Sequence, residues 1–397
     1  MGEFSKIDSV PVVVFIPGFL GTEIYEDSII PKKLWPVIDP FLHQRMALNS
    51  DGELDTGSNG HYRTYPRRVF ETYWPSLGGH NQTKIFLDAL RKAKINVVKV
   101  PYDWRIGFSH DNTIKAVDDG IEYALDTYSN GKPVTIVTHS SGGLVARSYL
   151  LRKPNSPVAN FINIASPNLG TPRAIKGLTV GDNLGLPILL NTISKKMVKN
   201  MPSVYELIPG ESFVNVYNDI YKDYDYSTFY YDEHNNITSY NKTKKYIEDN
   251  YNFKLYKKGM LFRRKMETEQ LNPAIKEYRI VGYRRSNIMQ VIRKEATKES
   301  VGRFIENNYE LLFGIGDGVV PIKSADMNCN GNAKVYYFNL SHMGLLSNSV
   351  ITKFEGRRVR KKNYTKIHDL IINIVKGKDI DSPDDFPPHN IGDYILK

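Results

Sequence analysis

Cysteine is nearly absent from this chain, since Cys329 is the only one among 397 residues. One thiol cannot form an intramolecular disulfide, and it cannot build a cysteine-rich metal site. Long apolar runs are absent too, because no stretch reaches about 18 apolar residues, and we therefore expect no membrane-spanning helix. Residues Met1 to Val10 lack the hydrophobic core of a signal peptide. The sequence thus predicts a protein that is cytoplasmic or peripheral to a membrane.

Metal-binding patterns are lacking as well. His61 and His80 lie near acidic residues, but their spacing matches no standard zinc site. We therefore predict no metal and no cofactor. Hydrophobic residues make up 41% of the chain, which is ample for a buried core, so packing must supply the stability.

The charge is unbalanced, with 53 Lys and Arg against 43 Asp and Glu and a formal net charge of +10. A basic cluster contains Arg357, Arg358, Arg360, Lys361 and Lys362. Such a run is either a solvated loop or a surface that attracts acidic lipid headgroups or nucleic acid at low salt. Because no helix-turn-helix, finger or RNA-binding signature accompanies it, an anionic membrane surface is a better candidate partner than nucleic acid.

Short apolar runs alternate with segments of helical period through most of the length. This pattern predicts an α/β fold, a mostly parallel sheet with helices on both faces. The predicted strands lie in residues 10–21, 95–105, 134–139, 158–167, 277–283 and 334–344. Two long segments interrupt the alternation, and we interpret 27–79 as a lid-like insertion and 170–276 as a cap insertion. Residues 378–397 form a polar, proline-rich C-terminal tail.

The run VTIVTHSSGG, from Val134 to Gly143, has the form of a nucleophile elbow. In that motif a strand, a tight turn and a helix raise one serine hydroxyl above the sheet, and the turn accepts only small residues two before and two after it. Ser140 is flanked by Thr138 and Gly142, whereas Ser141 has an imidazole at the first of these positions. We therefore predict Ser140 as the nucleophile.

A serine nucleophile needs a base and a carboxylate, which should follow it in the order Ser, Asp or Glu, His. Asp317 in GIGDGVVP and His342 in NLSHMG fit best, and the interval of 25 residues leaves room for a short helix and one strand. For the base, the weaker alternatives are His139, which lies beside the serine but should point away from it, and His110 and His368. For the carboxylate, they are Asp103, which has an arginine two residues on, and Asp326.

Acyl transfer also needs donors for the oxyanion of the tetrahedral intermediate. We expect one from the backbone N–H of Ser141, just after the nucleophile, and the second from Phe19 in the PGFLG loop after the first strand.

The motifs IPGFLGTEIY, KLWP, PYDWR, THSSGGLVAR, SPNLGTP, MPSVYELIP, GDGVVP and SHMG occur in this order. In this the chain resembles the lecithin:cholesterol acyltransferase-like hydrolases, over roughly 12–209 and 277–344. The resemblance implies an α/β-hydrolase fold with lid and cap. It also implies a serine that takes an acyl group from a lipid ester, with Ser140, Asp317 and His342 as triad and Phe19 and Ser141 as oxyanion donors. Thr138 at the elbow and the lack of a cysteine pair in the lid depart from the secreted animal members.

We therefore expect a lipase, phospholipase or acyltransferase acting through an acyl-enzyme on a lipid or other acyl ester. The rival hypotheses are a soluble carboxylesterase or thioesterase and a non-catalytic membrane-surface binding protein. An apolar stripe in LPILLNTISKKMVKNM, opposite Lys195, Lys196 and Lys199, predicts a helix that either packs on the core or lies on an anionic bilayer.

Overall fold

The computed structural model describes residues 10–36, 45–54, 63–72, 81–182, 191–220, 240–293, 309–327, 333–347, 349–354, 357–362 and 366–378. The predicted C-terminal tail falls almost wholly outside these residues, as do parts of the predicted lid and cap insertions and the histidines His61 and His80.

A six-stranded, entirely parallel sheet forms the centre of the molecule, in the order β11-β8-β7-β6-β1-β5. Five of its strands lie within segments predicted from the sequence, and β8 begins one residue before its predicted segment. Their bounds are β1 Val12–Ile16, β5 Asn96–Lys99, β6 Val134–His139, β7 Val158–Ile164, β8 Lys276–Gly282 and β11 Lys334–Phe338.

Both faces of this sheet are covered. Along β1, Val12, Val14 and Ile16 join one hydrophobic core, while Val13 and Phe15 join another on the opposite face. Since successive side chains of a strand point to opposite faces, a strand buried on both sides reads as one continuous apolar run.

Helices pack on both faces of the sheet. The helices are α1 Gln82–Lys92, α2 Asp111–Ala124, α3 Gly142–Arg152, α4 Arg173–Thr179, α5 Asn191–Val198, α6 Pro202–Glu206, α7 Glu211–Ile220, α8 Tyr240–Asn250, α9 Phe253–Thr268, α10 Ile322–Asp326, α11 Gly344–Ser347 and α12 Lys366–Val375. A π-helical turn, Leu125–Ser129, extends α2 and ends at Asn130 in the left-handed conformation.

In the described part of the chain, three small antiparallel sheets accompany the central one. The first is β3-β2-β4, built from β2 Thr22–Glu26, β3 Lys32–Trp35 and β4 Thr64–Val69. It begins at Thr22, earlier than the predicted lid-like insertion, because β2 pairs with both other strands. The others are the hairpins β9 Arg285–Arg293 with β10 Tyr309–Gly316 and β12 Ser349–Phe354 with β13 Arg357–Lys362.

Helices α4 to α9 lie within the segment interpreted as a cap. The predicted amphipathic helix is described from Asn191 to Val198, and its earlier part lies outside the described residues. Met197 and Met201 of its apolar stripe are fully buried. These two methionines therefore pack on the core, while Lys195 and Lys196 are exposed. In the described part of the chain, no helix has the length and apolar character needed to cross a membrane.

Candidate active site

Ser140 lies at the sharp turn between β6 and α3. Its φ of 54° is in the left-handed region that a non-glycine residue adopts at a cost. The Ser140 backbone N–H donates to the carbonyl of Ile164 over 2.8 Å, and its carbonyl accepts from the Gly143 N–H over 3.0 Å. The Ser166 hydroxyl donates to the same carbonyl. These bonds hold the strained residue in place.

The elbow is crowded, as the choice between the two serines assumed. A Cβ added to Gly142 would lie 2.5 Å from the carbonyl oxygens of Ile16 and Pro17. One added to Gly18 would lie 2.6 Å from the Cβ of Ser140. Thr138 fits at the first flanking position, where it is fully buried.

The two serines are in different environments. Both line a cavity, but Ser140 is partly exposed whereas Ser141 is 1% exposed and its hydroxyl oxygen is buried. Only the hydroxyl of Ser140 is therefore accessible to a substrate.

Asp317 and His342 are in direct contact, with 2.7 Å between Asp317 Oδ2 and His342 Nδ1. The other carboxylate oxygen of Asp317 accepts from the backbone N–H groups of Val319 and Val320 at 2.9 and 2.8 Å. The His342 backbone N–H donates to the Asp317 carbonyl over 2.8 Å. The carboxylate is thus fully bonded and buried, and it orients the imidazole through Nδ1.

Asp317 reaches this position by a detour. It follows β10, which belongs to the antiparallel hairpin with β9 and not to the central sheet. The hairpin leaves after β8 and returns to it, so that a Cβ on Gly282, at the end of β8, would lie 2.9 Å from the Cβ of Asp317. As the spacing predicted, α10 and β11 separate Asp317 from His342.

His139 does not point away from the site, and this expectation was wrong. Its ring lies 4.6 Å from that of His342, and its Nε2 is 3.2 Å from the His342 carbonyl oxygen. The reason is that the loop after β11 extends over the ends of β8 and β7 to the end of β6. Burial, and secondarily the neighbouring His342, hold the pKa of His139 well below its usual value. The sequence held one signal for this contact, namely that a histidine directly precedes Ser140.

The remaining alternatives lie elsewhere. His110 caps α2 through Nδ1, and His368 bonds the Leu346 carbonyl. Asp103 forms a buried, two-pronged ion pair with Arg105, as its spacing suggested. Asp326 accepts from Lys323 and Tyr337.

A cavity of about 320 Å³ opens at this edge of the sheet. Among its lining residues are all the predicted site residues except Asp317, which stands behind His342: Phe19, Ser140, Ser141 and His342. Its wall is largely apolar, with Glu71, Arg173 and Asp182 as charged members. Arg173 is paired with Asp182 at 2.8 and 2.9 Å. Within the described residues, no group of three His, Cys, Asp or Glu side chains is placed to hold a metal ion.

Two residues of the PYDWR segment contact the loop that carries Phe19. The Tyr102 hydroxyl donates to the Pro17 carbonyl over 3.1 Å, and the Phe19 ring packs edge-on against Trp104 at 4.9 Å. The PYDWR segment therefore supports the PGFLG loop beside the elbow.

Part of the chain is similar in sequence to known proteins. Residues 90–252 match the family model described as lecithin:cholesterol acyltransferase. The chain is 31% identical over 146 residues to the phosphatidylcholine-sterol acyltransferase of Mus musculus, covering 34% of this chain and 33% of that protein. It is 26% identical over 144 residues to the lysosomal phospholipase A and acyltransferase of Canis lupus familiaris, covering 33% of this chain and 35% of that protein. The matches therefore span about a third of the length of these relatives.

The structure is similar, over nearly its whole length, to that of a chain in the crystal structure of the Tle4–Tli4 complex. The two chains are 14% identical, with a TM-score of 0.55, and the match covers 92% of this chain and 98% of that one. The parallel sheet, the elbow after β6 and the order of strands show an α/β-hydrolase fold.

Proposed function

We propose that this protein is a serine-dependent lipid acyl-ester hydrolase or O-acyltransferase that works through an acyl-enzyme. Ser140 is the nucleophile, His342 the general base and Asp317 the carboxylate that orients it. The observation that carries the proposal is that Ser140 and the Asp317-bonded His342 line one largely apolar cavity.

In the first half of the reaction, Ser140 Oγ attacks the ester carbonyl carbon while His342 Nε2 takes its proton. The tetrahedral intermediate then collapses, the bond to the leaving alcohol breaks, and His342 returns the proton to that alcohol. The second half repeats these steps with water or an acceptor alcohol, which takes the acyl group and leaves Ser140 protonated.

The backbone N–H groups of Phe19 and Ser141 are the proposed donors to the oxyanion. Both residues line the cavity beside Ser140. Loss of one such donor costs about 100- to 1000-fold in kcat in comparable sites. The support of the Phe19 loop by Tyr102 therefore contributes to catalysis.

Hydrolysis and transfer share every residue named. The relatives include proteins named as acyltransferases and as a phospholipase A. A phospholipid labelled in its acyl chain, supplied with and without an acceptor alcohol, separates the two by the ratio of free fatty acid to new ester.

Labelling by a fluorophosphonate probe tests the nucleophile. Ser140→Ala is expected to abolish labelling, and Ser141→Ala to retain it, because the Ser141 hydroxyl is buried while its backbone N–H is unchanged. Labelling that persists in Ser140→Ala, or that is lost in Ser141→Ala alone, would overturn the assignment.

We also propose that the protein docks on anionic membranes through the turn between β2 and β3. Ile29 and Ile30 lie in this turn with exposed fractions of 104% and 82%, and Lys32 beside them is exposed. Exposed apolar side chains beside a cation suit an anionic lipid surface, as does the net charge of +10.

Co-sedimentation with phosphatidylserine vesicles at low and high salt tests this surface. Replacing Ile29 and Ile30 by Ser is expected to weaken binding at both salt concentrations. The control Leu261→Ser alters a residue that is 62% exposed on α9 and should leave binding unchanged. Equal binding by the double variant and the wild type would refute the docking surface.

A further inference from the structure

His139 links the strand that carries Ser140 to the loop that carries His342. It is the last residue of β6, its side chain is buried and it lines the same cavity. Since the oxygen of a carbonyl can only accept, His139 Nε2–H donates to the His342 carbonyl over 3.2 Å. The two imidazole rings lie 4.6 Å apart, with their planes inclined by 51°.

His342 is consequently held at three points. Two of them are bonds to Asp317, from the backbone N–H and from ring Nδ1. The third is the bond from His139, which alone of the three comes from the strand of the nucleophile. Because β8 and β7 separate β11 from β6 in the sheet, this bond fixes the imidazole relative to Ser140 across two intervening strands.

The kind of side chain at this position also matters. His342 becomes an imidazolium during each proton transfer, and a cation at 4.6 Å would oppose that charge. Burial keeps the pKa of His139 low, so its ring donates one hydrogen bond while remaining neutral.

On the basis of the proposed function, we propose that His139 is a positioning residue, which fixes the distance and direction from His342 to Ser140 through its hydrogen bond to the His342 carbonyl. It does not touch the reacting atoms. A misplacement of about 1 Å between reacting groups can cost about 100-fold in rate, so the loss should appear in kcat.

Two variants of similar size separate the hydrogen bond from simple packing. His139→Gln keeps an N–H donor at about the place of Nε2, whereas His139→Met keeps bulk and loses the donor. The matched control is His368→Met, which removes a buried histidine that also bonds a backbone carbonyl, that of Leu346, but lies outside the cavity lining.

The first measurement is hydrolysis of p-nitrophenyl butyrate together with the thermal midpoint. We expect kcat to fall about tenfold or more in His139→Met, with KM within about twofold of the wild type, and to be largely retained in His139→Gln and His368→Met. If His139→Met fails to fold, His139→Asn, whose amide falls short of the carbonyl, takes its place. Wild-type kcat in the variant without the donor, or equal losses in the Gln and Met variants, would overturn the proposal.

The second measurement does not need activity. The proton that His342 Nδ1 shares with Asp317 should give a downfield NMR resonance, assigned by its loss in His342→Gln. We expect this resonance to persist in His139→Gln and to broaden or shift in His139→Met. An unchanged resonance in His139→Met would contradict the positioning role even if the chain proved inactive on every ester, which would instead count against the proposed function.

Discussion

Gly18 illustrates how little space surrounds the nucleophile. A Cβ there would meet the Ser140 Cβ at 2.6 Å and the His139 carbonyl at 3.1 Å. We expect Gly18→Ala to lower kcat for p-nitrophenyl butyrate by about tenfold or more, because Ser140 or the Phe19 loop must shift. The control is Gly177→Ala, which also lines the cavity but whose Cβ would meet nothing within 4 Å. Comparable losses in both variants would argue against steric crowding at the elbow.

Glu206 makes the stability depend on pH. It ends α6, is buried, and accepts from the Phe108 N–H over 2.6 Å, yet burial raises its pKa to about 7 from an ordinary value of 4.5. Between pH 4.5 and pH 7, Glu206 binds its proton more tightly in the folded protein than in the unfolded chain. The free energy of unfolding should therefore fall as the pH rises through this window, by up to about 3 kcal/mol.

Glu206→Gln removes that titration and keeps an acceptor for Phe108. Urea unfolding at pH 5 and pH 8 should show a smaller difference between the two pH values for this variant than for the wild type. The same difference in both proteins would mean that Glu206 remains ionised in the fold.

Between elements, the ion pair of Asp103 and Arg105 joins the loop after β5 to the β3-β2-β4 sheet. Arg105 also donates to the Thr64 hydroxyl at 2.7 Å and to the Met46 carbonyl at 3.2 Å. Both charged side chains are almost completely buried. Asp103→Asn leaves the guanidinium charge without its counterion and should lower the free energy of unfolding by about 3–5 kcal/mol.

The control for this prediction is Asp51→Asn, which breaks an exposed pair with Lys254 and should change stability little. Chemical denaturation of both variants provides the measurement. A small effect of Asp103→Asn would indicate that water reaches Arg105.

The elements of the central sheet could be predicted because both of its faces are buried, which makes each strand a dense apolar run. The small antiparallel sheets could not. Strand β2 contains Glu23 and Glu26, and β13 reads RRVRKK, so neither shows the apolar pattern of a buried strand. Their pairing depends on neighbours far away in the sequence, which no local pattern encodes.

The candidate site was predictable to the extent that chain order constrains it. The order Ser140, Asp317, His342 follows from where the strands end, and the crowding of the elbow selects Ser140. The contact of His139 was missed because it depends on the path of the loop after β11. Sequence spacing gives the length of that loop but not its direction.

The whole molecule has a hydrophobic core on each face of the central sheet. In the second one, α12 packs against α1 and β7, with Ile371 fully buried and its neighbour Ile372 only partly so. Ile371→Ala should lower the free energy of unfolding by about 2–5 kcal/mol, and Ile372→Ala clearly less. Urea unfolding of the two adjacent substitutions tests the orientation of this helix, since a larger effect at Ile372 would require a different face to be inward.

Because Asp317 follows the hairpin of β9 and β10, the contacts that hold it involve only one end of that hairpin. Asp317 is held at the end of the hairpin where β10 finishes. There the Gly318 N–H donates to Asn287 over 2.6 Å, and the Asp317 backbone bonds Val320 and His342. The far end, where Arg293 pairs with Tyr309, lies about 25 Å away along strands of this length. A peptide epitope grafted between those two residues would allow the protein to be immobilised while the geometry around Asp317 stays intact.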